Sequence, residues 1–401
     1  MTQVGTIPVL DDDPFDPGVL CDPYTFHRRM RDAGPVVYLE RYGVWALGRH
    51  TEVAHALGDW ETFSSAAGVG LADFRKEPPW RPPSLLLEAD PPAHSVVRKP
   101  MLHLMTPKVA ESLRADFSAA AEELVAALVT RGEFDGVTDL AEVYPITVFA
   151  DAIGLPQDGR HHLLPYAAMT FNAFGPANAL RDEAFAGSGP VLEWATAACR
   201  RDALSPDGFG AQIWAAVDRG EITEEQAPLL VRSLLAAGLD TTVAALGNAL
   251  YCLATNRDQY ELLHADPGMA KPAFEESLRL ESPVQAFFRT TTRRVEMAGA
   301  VIPADAKVLV FFGSANRDPR RWGDDADRYD IHRRTAGHLA LGAGIHVCIG
   351  QFISRLEGEL VLAALARRAP RLALDGEPVP RPNNTLKAFR HLPLRVTTGK
   401  A

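Results

Sequence analysis

The sequence predicts a mainly α protein with minor β structure, and three observations carry that prediction. The apolar stretch LLVRSLLAAGLDTTVAALGNALYCLA lies within residues 223–255 and is too long to be a strand. Helical spacing of apolar residues fills most of residues 107–200, and another such run follows the glycine-rich stretch Gly342–Gly350. Strand-like alternation is short and gathers within about residues 30–60 and 285–340. No internal repeat or linker divides the chain, so residues 1–401 are expected to form one domain.

In chain order, Val36 to Leu47 alternates around Arg41-Tyr42-Gly43 and reads as a β-hairpin. Ser64 to Asp90 is rich in Gly and Pro and long for a loop, a pattern typical of functional or disordered segments. Asp90 before Pro91 and Pro92 reads as a helix start. Thr223 and Gln226 have capping-box spacing and should open a helix of roughly 33 residues, about 50 Å long. It is apolar on nearly every side, which places it in the interior. A helix over Lys271–Leu280 follows, then strands near Arg289–Glu296 and Lys307–Phe312, then a last helix ending near Arg368.

Composition narrows the class. The 401 residues are 47% hydrophobic and 23% charged, enough for a large core, and the net charge of −10 argues against nucleic acid as a partner. Four cysteines, Cys21, Cys199, Cys252 and Cys348, show no paired metal or disulfide spacing, which suits a reducing cytoplasm. The N-terminal MTQVGTIPVLDDDPFDP has no basic, apolar leader pattern, and no window reaches roughly 18 uninterrupted apolar residues. A cytoplasmic protein without a membrane partner is expected.

Residues 338–350 read His-Leu-Ala-Leu-Gly-Ala-Gly-Ile-His-Val-Cys-Ile-Gly. Glycines at such spacing allow tight turns beneath a flat group, and the helix start after the Cys favours a thiolate. The segment resembles the haem-binding loop of cytochromes P450, F-G-x-G-x-H-x-C-x-G, with Gly342, Gly344, His346, Cys348 and Gly350 matching. The resemblance implies that Cys348 ligates the iron of haem b, and that the fold holds the haem between the long central helix and the Cys-ligand loop. Such a ligand favours O–O cleavage. Leu341 stands where the family has Phe, and a shifted reduction potential is expected.

Other motifs agree. Glu276-Ser277-Leu278-Arg279 resembles the family's E-x-x-R, with Arg328 expected to complete a buried fold lock. Ala237-Gly238-Leu239-Asp240-Thr241-Thr242 resembles A-G-x-D-T-T, which implies proton delivery by Asp240 and Thr241. The threonine is placed to bond back one turn and bend the helix. His94 and Arg98 at i,i+4, with Arg289 and His346, match the positions that hold haem propionates.

The whole chain resembles most the bacterial P450s that oxidise para-substituted benzoates, such as 4-methoxybenzoate O-demethylases. The resemblance implies a substrate carboxylate held by Arg81, Ser84 and Ser233 with Arg232 nearby. It also implies a ring between Phe171, Phe174 and Phe287, and walls from Leu87, Ala237 and Val284. By spacing alone, Phe171 and Phe174 at i,i+3 are more often core packing than ligand contact. Helix geometry adds that Ser233, Ala237 and Thr241 form one stripe, with about 6 Å between the first two.

The implied reaction uses O2 and two electrons to hydroxylate or O-demethylate the substrate. The electrons would come from a [2Fe–2S] ferredoxin and its NADH-dependent reductase, docking at a local basic patch with Lys99 as candidate. Two rival readings are a P450 acting on a neutral terpenoid or fatty acid, and a haem sensor that does not turn over. A binding titration separates the first, and the Asp240–Thr241 pair argues against the second.

Overall fold

The structure, a computed structural model, describes residues 7–397. Of the N-terminal stretch read for a leader, residues 1–6 lie outside them. Helices dominate, and the apolar run from residue 223 is the axis of the molecule. It forms Gln226–Ala237 and Asp240–Thr255, interrupted at Gly238–Leu239, and not one unbroken helix from Thr223. The Thr223 amide donates to Gln226 Oε1 at 2.9 Å, so the capping-box residues do meet just ahead of the helix.

The interruption has a local cause. A Cβ on Gly238 would stand 2.1 Å from the Phe149 ring, so only glycine admits that ring against the helix. The Thr241 hydroxyl donates to the Ala237 carbonyl at 2.6 Å and that of Thr242 to Gly238 at 3.2 Å, competing with the amide ladder. By length and composition Gln226–Thr255 would pass for a membrane span, yet 67% of its most apolar window is buried inside the protein.

Asp240–Thr255 packs against the helix Ala270–Glu281 and the strands Arg371–Leu374 and Ala388–His391. The last long helix, Gln351–Arg368, lies against Pro107–Arg131 and Ala270–Glu281, burying Ile353, Leu356 and Val361. Glu276 and Arg279 are both 0% exposed, joined at 2.7 and 2.8 Å. The third member of this lock is Arg333, whose Nε reaches Glu276 at 3.1 Å. Arg328 is exposed and offers only its backbone carbonyl, because its neighbour Tyr329 takes the inward position and donates to the Ala273 carbonyl.

The hairpin expected at Val36–Leu47 forms from Val37–Leu39 and Val44–Leu47, with Gly43 at φ 63° in its turn. It belongs to a six-stranded sheet in the order Val9–Leu10, Val37–Leu39, Val44–Leu47, Lys307–Phe311, Ala286–Thr291, Phe63–Ser64. The two regions expected to hold β structure are therefore neighbours in one sheet. A three-stranded sheet of Arg371–Leu374, Pro393–Thr397 and Glu133–Asp135 was not expected.

The loop between Ser64 and Asp90 is ordered by a few side-chain pins. Lys307 Nζ donates to the carbonyls of Ala67, Gly68 and Gly70 at 3.0–3.2 Å, and burial pulls its pKa down to about 8. The Leu71 amide donates to the Phe174 carbonyl at 2.9 Å. Asp90 does not cap the next helix with its side chain, as expected from Asp-Pro-Pro. Its carboxylate accepts from the Ser64 hydroxyl and Ser65 amide, and the helix begins at Ala93.

Candidate active site

The Gln226–Ala237 segment, the helix break, the Ser64–Asp90 loop and the Cys348 loop enclose a cavity of about 260 Å³. On one wall is Cys348, whose amide donates to the Leu341 carbonyl at 2.8 Å, folding the loop back on itself. Gly342 and Gly344 sit at φ 70° and 65°, where glycine is needed. A Cβ on Gly344 would also lie 2.4 Å from the Leu57 carbonyl, so this turn is seated on the helix His50–Gly58. Burial pushes the Cys348 thiol up, while the Gly350 amide, Arg355 and Arg98 act in the opposite direction.

Around that wall stand cations and donors without carboxylate partners. Arg289 is 3% exposed and donates to the Phe288 carbonyl, and burial lowers its pKa to about 10. Arg98 reaches the Val347 carbonyl beside Cys348. The His94 and His346 rings lie 4.7 Å apart, with both His94 nitrogens and His346 Nε2 buried and unpartnered. Burial, with Arg289 beside it, holds His346 down at about 3. Buried polar atoms left unsatisfied demand a ligand, and this donor set fits the two carboxylates of a haem edge.

The opposite end carries Arg81, Ser84, Arg232 and Ser233. Ser84 Oγ and Ser233 Oγ face each other at 3.5 Å, and Ser233 also donates to the Leu229 carbonyl. Arg81 and Arg232 both donate to the Pro82 carbonyl, at 3.0 and 2.7 Å. Burial lowers the pKa of Arg232. Between the ends lie Leu87, Phe171, Phe174, Ala237, Val284 and Phe287. Phe174 meets Phe171 and Phe287 edge-on, with centroids 6.1 and 5.5 Å apart, so these aromatics are core and cavity wall at once.

Of the catalytic, cofactor-holding and substrate-holding side chains predicted from the sequence, all line the cavity except His94 and Asp240. His94 backs His346. Asp240, 0% exposed, faces away from the cavity: its Oδ1 accepts from Arg381 Nη2 at 2.6 Å and its Oδ2 has no partner. Thr241, the next residue, does line it, so one helical step separates cavity from ion pair. Sequence reasoning missed Arg381, Glu88, which pairs with Arg81, and Glu357, a cavity-lining acid raised far above the usual carboxylate range by burial. Only Glu357 left a trace, as a charge on an apolar helix face.

A thiol on a cavity wall ringed by basic side chains without carboxylate partners has the make-up of a haem-thiolate site. The family model for Cytochrome P450 matches residues 269–391, which hold Glu276, Arg279, Arg289 and the Cys348 loop. The chain is 54% identical to cytochrome p450 CYP199A2 of Rhodopseudomonas palustris, over 98% of its length and 95% of the relative's. It is 32% identical to the cytochrome P450 monooxygenase PikC of Streptomyces venezuelae, over 100% and 98% of the two chains. Among solved structures, cytochrome P450 CREJ in complex with (4-ethylphenyl) dihydrogen phosphate matches with a TM-score of 0.87 at 25% identity, covering 96% and 99%. The chain belongs to the cytochrome P450 family and is a haem-thiolate monooxygenase.

Proposed function

We propose that this monooxygenase hydroxylates or O-demethylates para-substituted benzoates such as 4-methoxybenzoate. The observation that carries the proposal is Arg232, a half-buried guanidinium lining the end of an apolar cavity with no Asp or Glu of the described residues paired to it. A partly desolvated cation without a counter-charge is costly, and a substrate carboxylate would supply one. Ser84 and Ser233 face each other beside it and offer hydroxyls to the same group. Ser233 lies one turn, about 6 Å, beyond Ala237, close to the length of a benzoate ring. A carboxylate held there leaves the para substituent toward Thr241 and the Cys348 wall, with Phe171, Phe174 and Phe287 fixing the ring plane. The aryl phosphate bound by cytochrome P450 CREJ is likewise a para-substituted aromatic anion.

In this reading Cys348 supplies the thiolate ligand, and His94, Arg98, Arg289 and His346 hold the propionates. Haem bound this way supplies the dioxygen chemistry. The chain orients the substrate, excludes water and delivers protons through Thr241, which lines the cavity, and Asp240, which reaches it only by leaving Arg381. Electrons come from a [2Fe–2S] ferredoxin and its NADH-dependent reductase. Lys99 is exposed on the helix whose Arg98 touches Val347, which puts a free cation close to the Cys348 loop.

Titrating the haem-loaded enzyme with 4-methoxybenzoate and with neutral 4-methoxytoluene tests the reading. The carboxylate is expected to give the high-spin Soret shift at far lower concentration and to release formaldehyde on turnover. Equal or tighter response to the neutral compound, or to a terpenoid or fatty acid, sinks it.

A further inference from the structure

Glu88 is an acid at the end of the cavity where an anion is expected. Its side chain is 1% exposed, and its carboxylate accepts from Arg81 Nη1 at 3.0 Å and from the Ser84 amide at 2.6 Å. Arg81 shares the Pro82 carbonyl with Arg232, so the three charges form one cluster. Two guanidinium charges less one carboxylate leave a single positive charge there. Glu88 itself stands behind the cavity wall, and Glu357, the one acid among the described residues that lines it, belongs to the helix behind Cys348 and cannot alter that sum locally.

Burial makes this balance selective. Charges in a weakly solvated site interact several times more strongly than in water, and an uncompensated buried charge is disfavoured. A site holding one net positive charge is neutralised by a monoanion and overfilled by a dianion. We propose that Glu88 sets the charge of the ligand this enzyme accepts, cancelling Arg81 so that the polar end matches monoanionic aryl carboxylates and discriminates against dianionic aryl phosphates. This rests on the anion-binding reading above. Glu88 acts through Arg81 and Ser84 and does not itself touch the substrate, so it is a specificity-determining and positioning residue, not a catalytic one. Specificity is a difference of affinities, and an acid placed behind the binding cation lowers the affinity for the more highly charged ligand first.

The test is calorimetric titration of haem-loaded enzyme with 4-ethylbenzoate, 4-ethylphenyl phosphate and neutral 4-ethyltoluene at about pH 8. In Glu88→Gln the phosphate-to-benzoate affinity ratio is expected to rise roughly tenfold. That gain should shrink as pH falls through about 6, where the phosphate loses its second charge. A Glu88→Gln enzyme that takes up haem but shows an unchanged or lowered ratio overturns the proposal. If that variant does not take up haem, Arg232→Gln decides: it should weaken the phosphate more than the benzoate, and equal weakening overturns the proposal. Wild-type enzyme that binds 4-ethyltoluene as tightly as 4-ethylbenzoate removes the anion-binding reading, and this inference with it. An unchanged ratio alongside a strong preference for benzoate removes only the role of Glu88.

Discussion

Two groups of buried and half-buried basic side chains bound the same cavity, and they are balanced differently. Beside Cys348, Arg98 and Arg289 have only backbone carbonyls for partners, and two histidines have ring nitrogens with none. At the far end Arg81 is neutralised by Glu88 and only Arg232 is left over. The imbalance tracks the ligand each end is proposed to hold: a macrocycle with two carboxylates on one side, a single carboxylate on the other. Elsewhere several buried arginines have an acid of their own. Arg279 meets Glu276, Arg317 meets Glu281, and Arg355 meets Glu275. A buried arginine with its own acid is structural; Arg31, 3% exposed and bonded only to Ser314, shows that one without an acid can be structural too, so it is the opening onto the cavity that marks Arg98, Arg289 and Arg232 for a ligand.

Breaking a paired arginine should cost the most. Glu276→Ala leaves Arg279 fully buried with only backbone carbonyls for partners, while Arg333 keeps Asp325, and about 3–5 kcal/mol of stability should be lost, read from the denaturant midpoint of unfolding. An unpaired cation should behave in the opposite way. Arg289→Gln is expected to leave the apoprotein's midpoint within about 1 kcal/mol, while haem transfer to an acceptor protein quickens by ten- to a hundredfold, as fits one lost charge-assisted bond. A large loss of apoprotein stability in that variant would show that Arg289 is structural after all.

The smallest effect concerns Arg355, the paired cation near Cys348. Burial pushes its partner Glu275 up, but hydrogen bonds from His338 and Arg355 outweigh burial and hold the carboxyl at about 2. The folded pKa lies below the unfolded value, so this pair stabilises the protein above about pH 4.5, and the contribution fades as pH falls toward 2. Glu275→Gln should flatten the stability profile across that window. An unchanged profile would mean that the pair contributes nothing there.

What the sequence disclosed divides along a similar line. The glycines at 342 and 344, the Glu276–Arg279 pair and the Ser233–Ala237–Thr241 stripe depend on spacings of a few residues, and spacing is what a sequence displays. Phe171 and Phe174 could be placed on one helix face, though only the fold shows that this face is both core and cavity wall. Partners joined across the fold were invisible. Arg381 meets Asp240 from 141 residues away. Arg333 displaced the expected Arg328 because a buried tyrosine, not the charge pattern, decides which way that turn faces. Glu88 lies near Arg81 in sequence, but in a loop without periodicity that nearness carried no geometry.

That loop also bears on how the enzyme could change. Lys307, Asp90, backbone bonds with Phe174 and Phe288, and the contacts of Arg75 with Asp305 and Leu86 with His346 hold Ser64–Asp90 in place, and no strand or helix runs through its interior. The wall that faces the substrate is therefore anchored in the core at Val69 and Leu86, while residues 75–78 between them are exposed. Its tip can gain or lose residues at little cost to folding. New ligand preferences could arise there while the iron-binding half stays fixed, so the diversification of this scaffold should be recorded first in residues 74–88.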